Sequence, residues 1–154
     1  MANTYTQLYV QIVFAVQGRV YLIRPNWEDE LYKYITGIVQ NRKHKMLAIN
    51  GMPDHIHIFL GLNPNESISE LVREIKKASN SFINERKFSK YSFKWQSGYG
   101  AFSYKRSDLD TVVNYVMNQK EHHKKKTFKE EYLELLKEFD IVFKDEYLFE
   151  WCDD

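Results

Sequence analysis

One cysteine in 154 residues, Cys152, excludes an internal disulfide and a multi-cysteine metal site within a single chain. A reducing, cytoplasmic setting is the simplest expectation. No apolar run approaches the roughly 18 residues that a membrane helix needs, and nothing at the N-terminus resembles a secretion signal. Internal repeats and low-complexity linkers are also missing, so the length suits one domain with a sizeable core. Net charge is scarce as well, at +1, yet that value hides an asymmetry. Residues 130–154 hold ten acids and two lysines, a balance of −8, which leaves +9 on residues 1–129. A basic body attracts polyanions such as nucleic acid, although the same charges also serve an ordinary solvated surface.

What is present reads as strands interleaved with helices. In TQLYVQIVF, Leu8, Val10, Ile12 and Phe14 share one face while Gln7, Tyr9, Gln11 and Val13 share the other, the period of a strand. From Asn26 to about His44 the residues Leu31, Tyr34, Ile35 and Ile38 follow helical spacing, with Asn26 as cap and Trp27 in the first turn. KMLAING and HIHIFLGL form a hairpin that reverses at Met52, Pro53 and Asp54. Ser67 and Glu70 make a capping box for a second helix, whose buried face is Ile68, Leu71, Val72, Ile75, Ser79 and Phe82. YGAFSYK reads as a fourth strand. Ser107 with Asp110 predicts the start of a third helix over about 108–123, and FKEEYLELLKEF a fourth. This order predicts an α+β fold of the ferredoxin-like or RRM-like kind, an antiparallel sheet with two helices on one face. Residues 1–126 are expected to form the domain and residues 127–154 an acidic helical appendage packed on it.

Phase makes PDHIHIFLGL informative. Ile56, Ile58 and Leu60 belong on the helix-covered face, so His55, His57 and Phe59 occupy the open one, with the two imidazoles side by side. Such a pair can grip one divalent ion from the same side, or it can simply hydrogen-bond to its neighbours. A metal site needs a further ligand. In the third helix Leu109, Val112, Val113, Val116 and Met117 define the buried stripe, and Tyr115 falls about 130° from its centre, with Gln119 one turn on. That helix can deliver a phenol and an amide oxygen to the histidines, or present both to solvent or to a dimer partner.

DHIHIF, WQSGYGAFS and NYVMNQ, in this order between residue 5 and about residue 126, resemble the motifs of the single-tyrosine HUH transposases of the IS200/IS605 insertion-sequence family. His55, Ile56 and His57 match its histidine-hydrophobic-histidine strand, and Tyr115 with Gln119 match its tyrosine followed four residues later by glutamine. The resemblance implies a nuclease and strand transferase that acts on single-stranded DNA at insertion-sequence ends and recognises hairpins. It implies that Tyr115 attacks a backbone phosphate, leaving a free 3′-hydroxyl and a 5′-phosphotyrosine, so that the third helix is the catalytic one. It implies that His55, His57 and Gln119 hold a divalent ion, Mg²⁺ or Mn²⁺, although two imidazoles also suit Zn²⁺. A homodimer with composite active sites is implied too, the tyrosine helix of one subunit completing the site built on the histidines of the other, while the sequence itself leaves cis or trans open. His122, about one turn past Gln119, can orient substrate or shuttle a proton, but EHHKKK also reads as the cationic end of a helix, favourable to its dipole and to DNA phosphate, and His122 and His123 stay outside the metal set.

Arg73, Lys76 and Lys77 form one helical patch, and Arg86, Lys87, Lys90 and Lys94 follow among Phe88, Tyr91, Phe93 and Trp95. Cations hold phosphates and aromatic rings stack on unpaired bases, though such rings also fill cores. Lys120 and Lys124–Lys126 extend the patch near Tyr115. The expected partner is single-stranded DNA with hairpin ends, and no membrane. Three other readings stay open: a domesticated relative acting on chromosomal repeat hairpins, a non-catalytic RRM-like binder of single strands, and an HxH metal hydrolase that needs no Tyr115.

Overall fold

Alternation and capping set the elements close to where spacing predicts them, in a computed structural model that describes residues 3–18 and 21–152. The strands are β1 (Tyr9–Ala15), β2 (Lys45–Met52), β3 (His55–Gly61) and β4 (Gly100–Tyr104). The helices are α1 (Pro25–Asn41), α2 (Ile68–Arg86), α3 (Leu109–Met117), α4 (Gln119–His122) and α5 (Phe128–Glu138). Ser67 caps α2 as expected, its hydroxyl accepting the Glu70 N–H at 3.1 Å. Two expected caps fall elsewhere. Helix α1 begins at Pro25, whose fixed φ and missing N–H suit a first turn, so Asn26 lies inside it. Ser107 sits within a 3₁₀ turn over residues 106–108 and caps nothing. The third helix is also interrupted: Asn118, at φ −98° and ψ 20°, separates α3 from α4.

The sheet is antiparallel in the order β2-β3-β1-β4, with β1 and β3 central. Helices α1 and α2 cover one face, where Ile12, Phe14, Ile56, Ile58 and Leu60 bury against Leu31, Ile35, Leu71 and Ile75. This is the predicted α+β arrangement.

The other face, expected to be open, is covered. Across β2 and β3, Ala48 and Phe59 pack with Val112 and Val116 of α3. Across β1 and β4, Phe102 meets Tyr132 and Phe139 from α5 and the residue that follows it. Gly100 is required there, because a Cβ would lie 2.5 Å from the Tyr132 hydroxyl. The chain after α5 returns to the body, where Glu150 exchanges hydrogen bonds with the Gln96 side chain at 2.6 and 2.7 Å. Phe128, Tyr132, Leu135, Leu136 and Phe149 join the main core, so the acidic tail sits over the histidine strand. Among the described residues no helix is long and apolar enough to cross a membrane.

Candidate active site

His55 and His57 project together from β3, as the strand period requires, but both are fully buried. Each imidazole is fixed from behind by an oxygen. His55 Nδ1 lies 2.7 Å from Asp54 Oδ1. His57 Nδ1 lies 2.6 Å from Gln11 Oε1, and the Gln11 amide donates in turn to the Tyr104 hydroxyl at 2.8 Å. Both Nε2 atoms therefore face the space between sheet and helices. Phe128 stacks on His55 with centroids 3.8 Å apart and planes at 7°, which closes that side of the ring.

Three elements complete the site. Gln119, at the start of α4, is buried and brings Oε1 to 3.3 Å from His55 Nε2. Glu131, from α5, brings Oε1 to 3.0 Å from His57 Nε2 and 3.3 Å from His55 Nε2. Tyr115, from α3, donates its hydroxyl to the other Glu131 oxygen, which also accepts from Gln119 Nε2 at 3.0 Å. The phenol ring stands edge-on to His57, 5.8 Å between centroids, and leans against His122 at 4.9 Å. A cavity of about 400 Å³ lined by Tyr115, His122, Lys125, Glu131 and Glu134 reaches the phenol from outside.

Burial and charge compete across this cluster. Burial would lower the pKa of His55, but the hydrogen bonds to Asp54 and Glu131 overcome it and push it up to about 9. For His57 burial prevails and the pKa falls. Burial would raise Glu131, yet the surrounding imidazoles hold its carboxyl well below the usual range. Tyr115 is pushed upward, first by burial and then by the negative charge of Glu131.

The donor set fits a divalent cation. Ligand atoms of His55, His57 and Glu131 lie within 4.8 Å of one another. The two nitrogens have acceptors behind them, the arrangement that holds a metal-binding imidazole in one tautomer. The expected ligands His55, His57 and Gln119 do converge. Glu131 was missed, although the sequence flagged it: Phe128, Tyr132, Leu135 and Leu136 form an apolar stripe, and Glu131 lies inside it. An acid on the buried face of a helix needs a partner.

The cationic residues divide into groups. Lys76, Lys77 and Lys94 line one cleft with Asn80 and Gln96. Lys76 donates to the carbonyls of Gln96 and Gly98 at 2.8 and 2.6 Å, and burial lowers its pKa to about 8. Arg73 pairs with Glu70 at 2.6 Å and Arg86 with Glu30 at 3.6 Å, while Lys87 ends α2 in the left-handed conformation. Lys90 lies 5.7 Å from the exposed Tyr91 ring. Lys120 turns away from them onto Glu28 and the Gly51 carbonyl. Phe93 and Trp95 are core residues, which removes them from base stacking and leaves Tyr91 as the exposed ring of that stretch.

Two solved structures share this architecture. One is a candidate transposase from Deinococcus radiodurans R1, 20% identical, with TM-score 0.62, over 77% of this chain and 95% of the other. The second is a REP-associated tyrosine transposase bound to a REP hairpin, 18% identical, with TM-score 0.58, over 80% of this chain and 73% of the other. Among curated proteins none matches the sequence. The family described as "Transposase IS200 like" matches residues 4–119, from the strand before the histidines to the glutamine beside them. With that span covering most of the fold, the chain belongs to the IS200-like transposase family.

Proposed function

We propose that the protein is a metal-dependent single-strand DNA endonuclease and strand transferase that cuts and rejoins insertion-sequence ends through Tyr115. One observation carries this reading: the Tyr115 hydroxyl and the nitrogens of His55 and His57 meet on the same buried carboxylate within one chain. Attack by the phenolic oxygen on a backbone phosphorus forms the Tyr–O–P ester and breaks the P–O3′ bond. The phenol loses its proton and the departing 3′-oxygen gains one. The ester retains a reactive phosphodiester, so a 3′-hydroxyl can later reverse the step and join strands.

Each residue has a part in that step. The phenol is protonated at rest, held so by burial and by Glu131. Asp54 and Gln11 keep the two Nε2 atoms aimed inward. His55, His57, Gln119 and Glu131 would hold the divalent ion, Mg²⁺ or Mn²⁺, which supplies positive charge beside a non-bridging phosphate oxygen. Because Tyr115 reaches its own chain's histidines, the site works in cis, and a homodimer would carry two such sites.

The substrate is single-stranded DNA flanking a hairpin, a reading supported by the REP hairpin bound to the second solved relative. The lysine cleft suits the flanking strand. It lies at the histidine end of the sheet, since Gln96 N–H donates to the Ala15 carbonyl and Ala15 pairs with His55. A cytoplasmic setting is compatible with such a substrate. The decisive experiment incubates labelled single-stranded element ends with protein and Mg²⁺ or Mn²⁺, then looks for a denaturation-resistant adduct. Tyr115→Phe is expected to abolish the adduct and keep DNA binding. An adduct that persists in Tyr115→Phe removes Tyr115 as nucleophile, and binding without any adduct in wild type favours the non-catalytic RRM-like reading.

A further inference from the structure

Gln119, which opens α4, and His123, just past its end, stand four residues apart and face the same way, into the histidine cluster. His123, expected to be part of the cationic end of a helix, has a side chain only 5% exposed. Its Nε2 lies 3.2 Å from Glu131 Oε1 and 3.0 Å from Gln119 Oε1. Its ring centroid is 4.8 Å from that of His55. On its outer side Nδ1 donates to the Lys126 carbonyl at 2.8 Å.

That last bond gives His123 the same two-sided surroundings as the other two. All three imidazoles have Nδ1 against an oxygen acceptor, Asp54, Gln11 or Lys126, and Nε2 within 3.3 Å of one carboxylate oxygen. An acceptor at Nδ1 keeps a proton on that nitrogen, so an ion that displaces any proton between Nε2 and Glu131 meets the Nε2 lone pair. His122 differs: its Nε2 is buried without a partner and its ring lies on Tyr115, outside the cluster.

The structure assigns His123 as a third imidazole ligand of the metal centre, giving a three-histidine set completed by Gln119 and Glu131 oxygens. Such a set selects a first-row transition ion of the Mn²⁺, Co²⁺ or Zn²⁺ class over Mg²⁺, because Mg²⁺ keeps to oxygen donors and water while imidazole favours the later ions. The inference rests on the metal-dependent reading above and adds to it a ligand and a preference.

The test follows the imidazole nitrogens directly in full-length, ¹⁵N-labelled wild-type protein. Zn²⁺ is added, and long-range proton-nitrogen spectra are recorded with His122 as internal reference. Nε2 of His55, His57 and His123 should all shift, with His122 unmoved. In parallel, Co²⁺ binding is read from its visible absorption. His123→Ala should weaken it by at least about tenfold, a loss typical even for removing an outer partner of a ligand, and should change the band shape. Melting curves without metal confirm that the variant folds. Shifts confined to His55 and His57, an unaltered Co²⁺ spectrum in His123→Ala, or Mg²⁺ displacing Co²⁺ at equal concentration would each overturn the assignment. These outcomes are independent of the adduct assay: a missing Tyr115 adduct defeats the transposase chemistry and leaves a three-imidazole site standing.

Discussion

Replacing Glu131 with alanine removes a carboxylate that five side chains share. His55, His57 and His123 approach one of its oxygens at 3.0 to 3.3 Å, and Tyr115 and Gln119 donate to the other. Deleting one partner of a buried ionic network costs about 3–5 kcal/mol, because the groups left behind keep their desolvation cost. Imidazoles can shed protons in response, so the lower end, about 3 kcal/mol, is expected near pH 6 with chelator present. For a chain of this size that corresponds to a fall of roughly 6–12 °C in melting temperature. Glu131→Gln should lose less, since it keeps an acceptor for the phenol. The pH dependence gives a second check. His55 is raised to about 9, so its share of the stability is present below about 6.5 and lost as pH climbs through 9. Glu131 is depressed, so its share is present above about 4.5 and lost as pH falls below that value. The gap between wild type and Glu131→Ala should therefore be widest between about pH 4.5 and 6.5 and narrow on both sides. Urea unfolding followed by tryptophan fluorescence measures it. A gap under about 1 kcal/mol at every pH, with unchanged m, would refute the account of a shared buried carboxylate.

Four further outcomes follow from the same geometry. Mixing Tyr115→Phe with His57→Ala subunits should restore no adduct if each chain completes its own site, and recovery of adduct in the mixture would show exchange between subunits. Lys77→Ala with Lys94→Ala should weaken single-strand binding by Tyr115→Phe protein and flatten its salt dependence by about 1.4 in slope, read by fluorescence anisotropy across a salt series. Gln11→Leu removes the acceptor behind His57 and should lower Mn²⁺ affinity by about 10–100-fold, measured calorimetrically. Gly100→Ala forces a methyl group onto Tyr132 and should cost about 1–3 kcal/mol in unfolding experiments.

How much of this was legible in the sequence depended on range. Period-2 alternation found β1 and β3, and the phase of Ile56, Ile58 and Leu60 correctly assigned the histidines to the face away from α1 and α2. The Ser67 capping box located α2 because its bond closes within three residues. Where two local signals compete, spacing misleads. Asn26 looks like a cap, but Pro25 is the better first residue, and Ser107 looks like a cap until the 3₁₀ turn absorbs it. The cover over the second sheet face depends on how α5 returns across β1 and β4, through contacts such as Phe102 with Tyr132 that are distant in sequence. Periodicity within FKEEYLELLKEF shows that one face must be buried, without saying against what.

The site divides along the same line. His55 and His57 share a strand, so their convergence follows from backbone geometry alone. Tyr115 and Gln119 were placed on one helical face by assuming a continuous helix, yet the bend at Asn118 separates them into two elements that still meet at Glu131. His123 is masked instead by the cationic run EHHKKK, which reads as the end of a helix although its spacing from Gln119 sets it on the same face. Glu131 carries the broader lesson: within an amphipathic helix, the informative residue was the single acid on the apolar stripe, since burial is tolerated only if positive groups or a cation wait on the other side. Here three imidazoles supply those groups, and helix α5 positions the carboxylate to which the Tyr115 hydroxyl donates.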